Sequence, residues 1–500
     1  MVANIKTKCF LWMDGSLFFR GILGFFNILI RFFEGSFLVR LFIADFDKDR
    51  LSNSYFVRIV EGVLNLFPKI LIPVSQSKLA ESFPGRILHG STILKLFTVA
   101  LGFSLPAYGL LVVVVGAPFL PTMTVAGLLV AVFGLALFHL RFKLDLTSIP
   151  LLLFMAVTLF SGVTSAAASY SILIAVLTVA MMSSYLLAKA CITSRKRVDF
   201  IIAAFIIAAA GTAFVAFYQI YMGYMDAAWV DRDLFAALSM RVFSTFANPN
   251  VYGTYLLLAI PLAAVCILYA KNIWYKLFAV GITGLLLMAM GLTYSRGGYV
   301  ALAGAVFFFL ILIEKRLIVL FVAGIAVMPF ILPASIIARV VSIVNFADTS
   351  TMYRIAIWQA SMRMLGDFWM AGIGQGAEAF NAVYPYYAFA AVTALHSHNL
   401  FLQIFLETGI IGFLVFLGIL ACFFRTQFSF MRHTSDQRRK LLSAAMTAAV
   451  VGFLLQGMFD HSFHNYRVML VFYLFLGIAN CVTDVEEVKN LEESQEVEES

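Results

Sequence analysis

The residues best suited to chemistry in this chain of 500 residues lie where a polar stretch ends. From Ala334 to His398 the long apolar runs give way to Arg, Tyr, Trp, Asn and Gly, closing on His396-Ser397-His398-Asn399. An apolar run carrying Gln403 and Glu407 follows at once. Imidazole is the side chain best matched to moving protons near neutral pH. An ionisable cluster at the mouth of a membrane helix is costly to build, so it reads as functional by default. Asn399, Gln403 and Glu407 are spaced i, i+4, i+8 and share one helix face. That stripe can serve a site around His398. It can equally join helices by hydrogen bonds, with Gly409 and Gly412 allowing close packing.

Three arginines stand in distinctive surroundings. Arg241 precedes Asn248-Pro249-Asn250, a turn and helix-entry signal in which Asn250 is the expected cap. Arg296 sits in Tyr294-Ser295-Arg296-Gly297-Gly298-Tyr299. The paired glycines there permit close backbone approach, and the arginine can bind a phosphate or snorkel to a lipid headgroup. Arg354 and Trp358, one helical turn apart, suit a sugar phosphate, because sugar faces stack on indole. Gly372-Ile373-Gly374-Gln375-Gly376 reads as a backbone turn, since no Rossmann-type strand precedes it. Asp460, His461, His464 and Arg467 form a lesser cluster whose spacing suits no standard zinc site, and no metal or cofactor is expected.

The elements that position these residues must be membrane helices. Hydrophobic residues make up 62% of the chain and charged residues only 12%, with a mean hydropathy of +0.95, which excludes a soluble globular domain. Many runs approach the roughly 20 apolar residues that cross a bilayer, without the period-2 alternation of barrel strands. The expected fold is therefore all-α and polytopic, with about twelve spans. They centre on 93–115, 122–140, 147–161, 166–188, 198–220, 251–270, 276–294, 298–313, 317–333, 399–424, 441–459 and 468–483. Residues 1–90, interrupted by Arg20, Arg31, Arg40, Arg50 and Arg58, read as amphipathic helices on the cytoplasmic membrane surface. The five scattered cysteines point to no disulfide.

Charge sets the expected orientation. The tail 484–500 holds eight acidic residues and one lysine, a net −7, so the rest of the chain carries +15 of the overall +8. Such an excess marks cytoplasmic loops facing anionic lipid rather than a nucleic-acid partner. Basic clusters between alternate spans place both termini in the cytoplasm and leave 221–250, 334–398 and 460–467 outside. All fourteen lysines then fall on the cytoplasmic side or its edge. The outer basic residues are all arginine: Arg232, Arg241, Arg296, Arg339, Arg354, Arg363 and Arg467. Retaining arginine where lysine is excluded fits planar, bidentate binding of phosphate or carboxylate. Arg232 and Arg339 have nothing local to mark them as more than loop surface.

The run from His398-Asn399 through nine residues to Gly409-Ile410-Ile411-Gly412 resembles the signature of the O-antigen ligases. The wider family includes Wzy-type O-antigen polymerases and protein O-oligosaccharyltransferases. The Arg241-to-Asn250 run and the Ser295-to-Gly298 turn are also similar to segments of that family, and the likeness extends over about residues 95–483. It departs at Phe413, where ligases often carry Thr. The resemblance implies a metal-independent glycosyltransferase of the bacterial inner membrane. Such an enzyme moves a glycan from undecaprenyl pyrophosphate to an acceptor hydroxyl, lipid- or glycan-linked, on the outer face. His398 is then the base, Arg241, Arg296 and Arg354 hold the pyrophosphate, and Asn399, Gln403, Glu407 and Trp358 support them. Ligase is the leading reading and Wzy-type polymerase the alternative. A flippase would instead spread polar residues through the midplane of many helices, and a non-catalytic scaffold would make His398 dispensable.

Overall fold

The computed structural model describes residues 21, 24–25, 54–66, 104–224, 241–342, 349–389 and 392–499. Among the described residues there are sixteen α-helices and no strand, as expected of an all-α polytopic membrane protein. A short α1 (Tyr55–Leu64) precedes α2 (Leu105–Gly116), α3 (Thr122–His139), α4 (Ser148–Val163) and α5 (Ala168–Cys191). Next come α6 (Arg195–Tyr221), α7 (Pro249–Tyr269), α8 (Ile273–Leu292), α9 (Arg296–Ile313) and α10 (Ile318–Ile331). Three helices, α11 (Ala334–Val341), α12 (Thr349–Phe368) and α13 (Ala377–Val383), occupy the polar stretch. The chain ends with α14 (Leu400–His433), α15 (Gln437–Gly457) and α16 (Tyr466–Glu499).

A helix coincides with each of the twelve expected spans, although the first part of 93–115 lies outside the described residues. Among the described residues nine helices are long and apolar enough to cross a bilayer, and α2, α4 and α10 are shorter. Most of the surface-helix reading of residues 1–90 also lies outside the described residues. The described part, α1, buries Val57 while exposing Tyr55, Ile59 and Val63.

Burial separates the centre of the bundle from its lipid-facing rim. The apolar windows of α7, α15 and α16 are 78%, 72% and 89% buried, against 22%, 22% and 17% for α3, α8 and α9. Small residues let the central helices approach. A Cβ on Gly477 of α16 would lie 2.9 Å from Ala188 and from the Tyr185 carbonyl of α5, and one on Gly452 of α15 would lie 2.9 Å from Ala305 of α9. Outward-facing Phe214, Leu173, Trp274 and Phe278 remain exposed, as a lipid-facing surface requires.

The helix ends form two unlike polar layers. In one, Asp145 accepts from Tyr185 and Asn480 and pairs with Lys189 at 3.0 Å, while Lys189 also contacts Asp484. Arg438 and Arg439 pair with Asp199 at this end, and Asn65 beside α1 bonds Phe142. The other layer gathers 117–121, 164–167, 241–248, 293–295, 332–342, 349–389, 392–399 and 458–465. Here Arg467 donates to the carbonyls of Pro118 and Thr245, and Ser165 to that of Ile373. Every candidate site residue lies in or beside this second layer. The basic cluster from Arg425 to Lys440 spans the end of α14, which runs to His433 beyond the expected span end at 424, and the start of α15.

The two layers make orientation testable. With the native cysteines replaced, Ser350→Cys should react with a membrane-impermeant thiol reagent in intact cells, and Ser435→Cys only after permeabilisation. The reverse order would turn the bundle over.

Candidate functional site

The His398 segment is held by its neighbours on α14. Asn399 caps α14, its Oδ1 accepting from Leu402 N at 3.0 Å, while its Nδ2 donates to the Met458 carbonyl at 2.9 Å. Gln403 Oε1 accepts from Ser397 N at 2.7 Å, and the Gln403 amide donates to Glu407 at 3.0 Å. Between them His398 adopts φ +51°, which costs a residue with a Cβ on the order of 1–2 kcal/mol. Two of the three stripe residues thus fix the backbone on either side of the histidine. The third, Glu407, anchors Gln403 and accepts from Gly376 N at 3.3 Å.

The hook onto Met458 brings the end of α15 beside the start of α14. As a result Asp460 Oδ1 lies 3.3 Å from His398 Nδ1. The carboxylate is buried, whereas the imidazole is 28% exposed. Burial raises the Asp460 pKa, but the hydrogen bond from His398 and the charge of Arg354 outweigh it and hold the carboxyl below the usual range. An ionised carboxylate on Nδ1 selects the tautomer whose Nε2 lone pair is free to take a proton. Burial, with His464 and His398 adding to it, pushes His396 down to about 3, so its ring is neutral at pH 7. His396, His398 and Asp460 offer ligand atoms within 4.8 Å of one another. Sequence spacing gives no sign that Asp460 joins the two histidines, because it lies 62 positions beyond His398.

Arg241, Arg296, Arg339 and Arg354 line one pocket with Asn250, Ser295 and Gln456. Arg241 is oriented by bonds to the Thr293 carbonyl at 2.9 Å and Asn250 Oδ1 at 3.0 Å. Burial lowers its pKa to about 9, with Arg339, Arg354 and Arg296 acting in the same direction. Asn248, not Asn250, caps α7, its Oδ1 accepting from Asn250 N at 2.8 Å. The expected cap at Asn250 is corrected accordingly: that side chain turns to Arg241. Ser295 caps α9, and a Cβ on Gly297 would lie 2.5 Å from Gln456 Oε1, so the Arg296 turn packs against α15.

Arg339 overturns its reading as plain loop surface. The amphipathic α11 folds back over the start of α9, where Arg339 Nε donates to the Tyr294 carbonyl at 3.1 Å and Ser342 accepts from Arg296 at 3.2 Å. The other outer arginines divide by environment. Arg467 staples backbone carbonyls and stacks over Phe246 at 5.0 Å, Arg363 lies 4.2 Å over Phe389, and Arg232 is outside the described residues. Trp358 lines neither this pocket nor the one described next, and its buried Nε1 has no hydrogen-bond partner among the described residues.

Gln403 and Glu407 face a second pocket, shared with Gln375, His396, His461 and His464. Its wall depends on a break in α14 at Gly409, where φ is +66° and ψ −172°. The carbonyls freed there are taken by the glycine turn: Ile373 N donates to Leu406 O at 2.7 Å and Gly374 N to Glu407 O at 3.3 Å. Ile410 N donates back to Trp369 O at 2.8 Å. Gly372, Gly374 and Gly376 all have positive φ, as the expected turn requires.

Arg339, Asn250 and Gln456 are the functional candidates that sequence reasoning misses, whereas Asp460 enters it only as a member of the lesser cluster at 460–467, with no link to His398.

With this geometry in place, residues 281–417 match the family model described as O-antigen ligase. The matched segment takes in Arg296, Arg339, Arg354 and the His398-to-Gly412 run, while Arg241 and Asp460 lie outside it. No curated protein matches the chain.

The α14 break predicts opposite signs for two glycine substitutions. Gly409→Ala drives a Cβ into the Met370 carbonyl and puts an L-residue where essentially only glycine goes, costing at least on the order of 1–3 kcal/mol. Gly366→Ala, in open space on α12, should be neutral or stabilising by up to about 1 kcal/mol. Thermal unfolding of the detergent-solubilised proteins reads both. Equal melting temperatures would mean that the break does not hold the outer helices.

Proposed function

We propose that this membrane protein, which carries an O-antigen ligase segment, transfers a glycan from a polyprenyl pyrophosphate to an acceptor hydroxyl. The reading places the reaction on the outer face of the bacterial cytoplasmic membrane, and ligation to a lipid-linked acceptor is favoured over polymerisation. The observation that carries it is the convergence of Arg241, Arg296, Arg339 and Arg354 on one pocket beside the His398–Asp460 pair. Four guanidinium groups lining one pocket offer planar donors to an anion with several oxygens. A pyrophosphate is such an anion.

The chemistry then divides between the two groups. His398 Nε2 takes the proton of the acceptor hydroxyl as its oxygen attacks the anomeric carbon. The bond from that carbon to the pyrophosphate oxygen breaks, and its electron pair leaves with the pyrophosphate. The arginines meet that developing charge, which is electrostatic stabilisation without reorganisation. Asp460 stabilises the imidazolium that forms and keeps Nε2 aimed outwards. No step calls for a metal. The undecaprenyl chain would remain in the bilayer, and the exclusion of lysine from this layer supports the outer orientation.

Transfer from a synthetic polyprenyl-pyrophosphate glycan, with membrane abundance matched, tests the assignment. His398→Ala should abolish transfer. Asp460→Asn should lose about two orders of magnitude or more, because the amide cannot balance the imidazolium. Lysine at Arg241, Arg296, Arg339 or Arg354 keeps the charge but not the fork, and each should cost about 2–4 kcal/mol, roughly 30- to 1,000-fold in rate. Arg363→Lys should be nearly silent. Near-normal transfer by His398→Ala, or equal tolerance at all five arginines, would sink the reading.

A further inference from the structure

The His398 segment holds more imidazole than a His–Asp pair requires. The His396 and His398 ring centroids are 4.3 Å apart, and His464 stacks on the far side of this group, 4.8 Å from His396. His461 lies 5.4 Å from His396 and keeps a buried Nδ1 without a hydrogen-bond partner among the described residues. Ligand atoms of His396, His398 and Asp460 all fall within 4.8 Å of one another.

We propose that His396, His398 and Asp460 form an inhibitory site for a first-row divalent transition cation of the zinc class. This rests on the base role of His398 under the proposed function, since the cation takes the lone pair that the reaction needs. Two imidazoles and one carboxylate are the borderline donor set such ions prefer over magnesium or calcium. Metal–nitrogen bonds of about 2.0–2.1 Å put tetrahedral ligand atoms roughly 3.3 Å apart, so closure from 4.8 Å needs side-chain rotation rather than backbone movement. The segment is already held at its backbone: Asn399 hooks Met458 and Gln403 holds Ser397. Three protein ligands leave a fourth position for water or for His464. His398 cannot bind the cation and accept the acceptor proton through the same nitrogen. If it binds through Nδ1 it must release Asp460 and give up the tautomer. Either geometry removes the base, so occupancy and transfer exclude each other. Arg354, close enough to act on Asp460 electrostatically, opposes a bound cation and keeps the site weaker than a closed structural zinc site.

The test uses the full chain in nanodiscs, made without a histidine tag. Cobalt(II) alone should give one equivalent of a visible d–d band that zinc bleaches. Zinc should inhibit glycan transfer in the same concentration range. His396→Gln keeps an acceptor for the His398 amide, so it should retain transfer while weakening cobalt binding and zinc inhibition by at least about ten-fold. His396→Asn serves as a second variant should the first fold poorly, and Asp460→Asn should also lose the band. The inference is overturned by the lack of any cobalt band, by a band unchanged in both His396 variants, or by zinc raising the transfer rate. A cobalt band with His398→Ala still active would instead keep the metal site and remove the base.

Discussion

Like charge gathered at a lipid boundary is the constraint on which the rest of this structure depends. Arg241, Arg296, Arg339 and Arg354 share one pocket, and each comes from a different part of the chain. Water and counter-ions solvate such a group cheaply on a soluble surface, but beside a bilayer the protein must supply the compensation itself. It does so with oriented carbonyls and amides: Thr293 and Asn250 for Arg241, Tyr294 for Arg339, Ser342 for Arg296. These partners lie at helix ends, where backbone carbonyls are free to accept. The pocket therefore forms where α7, α8, α9 and α15 begin or stop, not along their lengths.

The same economy of backbone groups explains the break in α14. Interrupting a helix in or near lipid exposes carbonyls that have no water to bond. The turn from Gly372 to Gly376 satisfies the carbonyls of Leu406 and Glu407, and Trp369 receives the Ile410 amide. One set of bonds thus repairs the helix and fastens α12 and α13 to the bundle. The glycines are required on both sides, because a Cβ on Gly372 would lie 2.6 Å from the Glu407 carbonyl. The attachment also sets where Arg354, on α12, stands relative to His398, at the head of α14.

The opposite end of the bundle is polar for a different reason. Asp145, Lys189, Tyr185, Asn480 and Asp484 satisfy one another within a closed network around α5 and α16. Buried ion pairs of this kind add little net stability but penalise misregistered packing, because a single partner left alone is expensive. The two layers therefore differ in what they leave open. One closes on itself, and the other collects cations and imidazoles around pockets.

The sequence by itself determines the spans, the helical class and the two strongest site signals. Apolar length and the lack of period-2 alternation are local properties, so each of the twelve segments is legible one run at a time. His398 is legible because a histidine between a polar stretch and a membrane helix has few structural reasons to be there. Arg241, Arg296 and Arg354 are legible from the turns and aromatics beside them. Tertiary structure alone decides which of these meet. Arg339 looks like surface because its partners, Tyr294 and the Arg296 turn, lie more than forty residues away. Asp460 sits 62 positions from His398 and reaches it only through the hook of Asn399 on Met458. Asn248 rather than Asn250 caps α7 because the second asparagine is drawn to a guanidinium. Hydropathy is summed along the chain, whereas charge pairing is settled across it, between helix ends that only packing brings together.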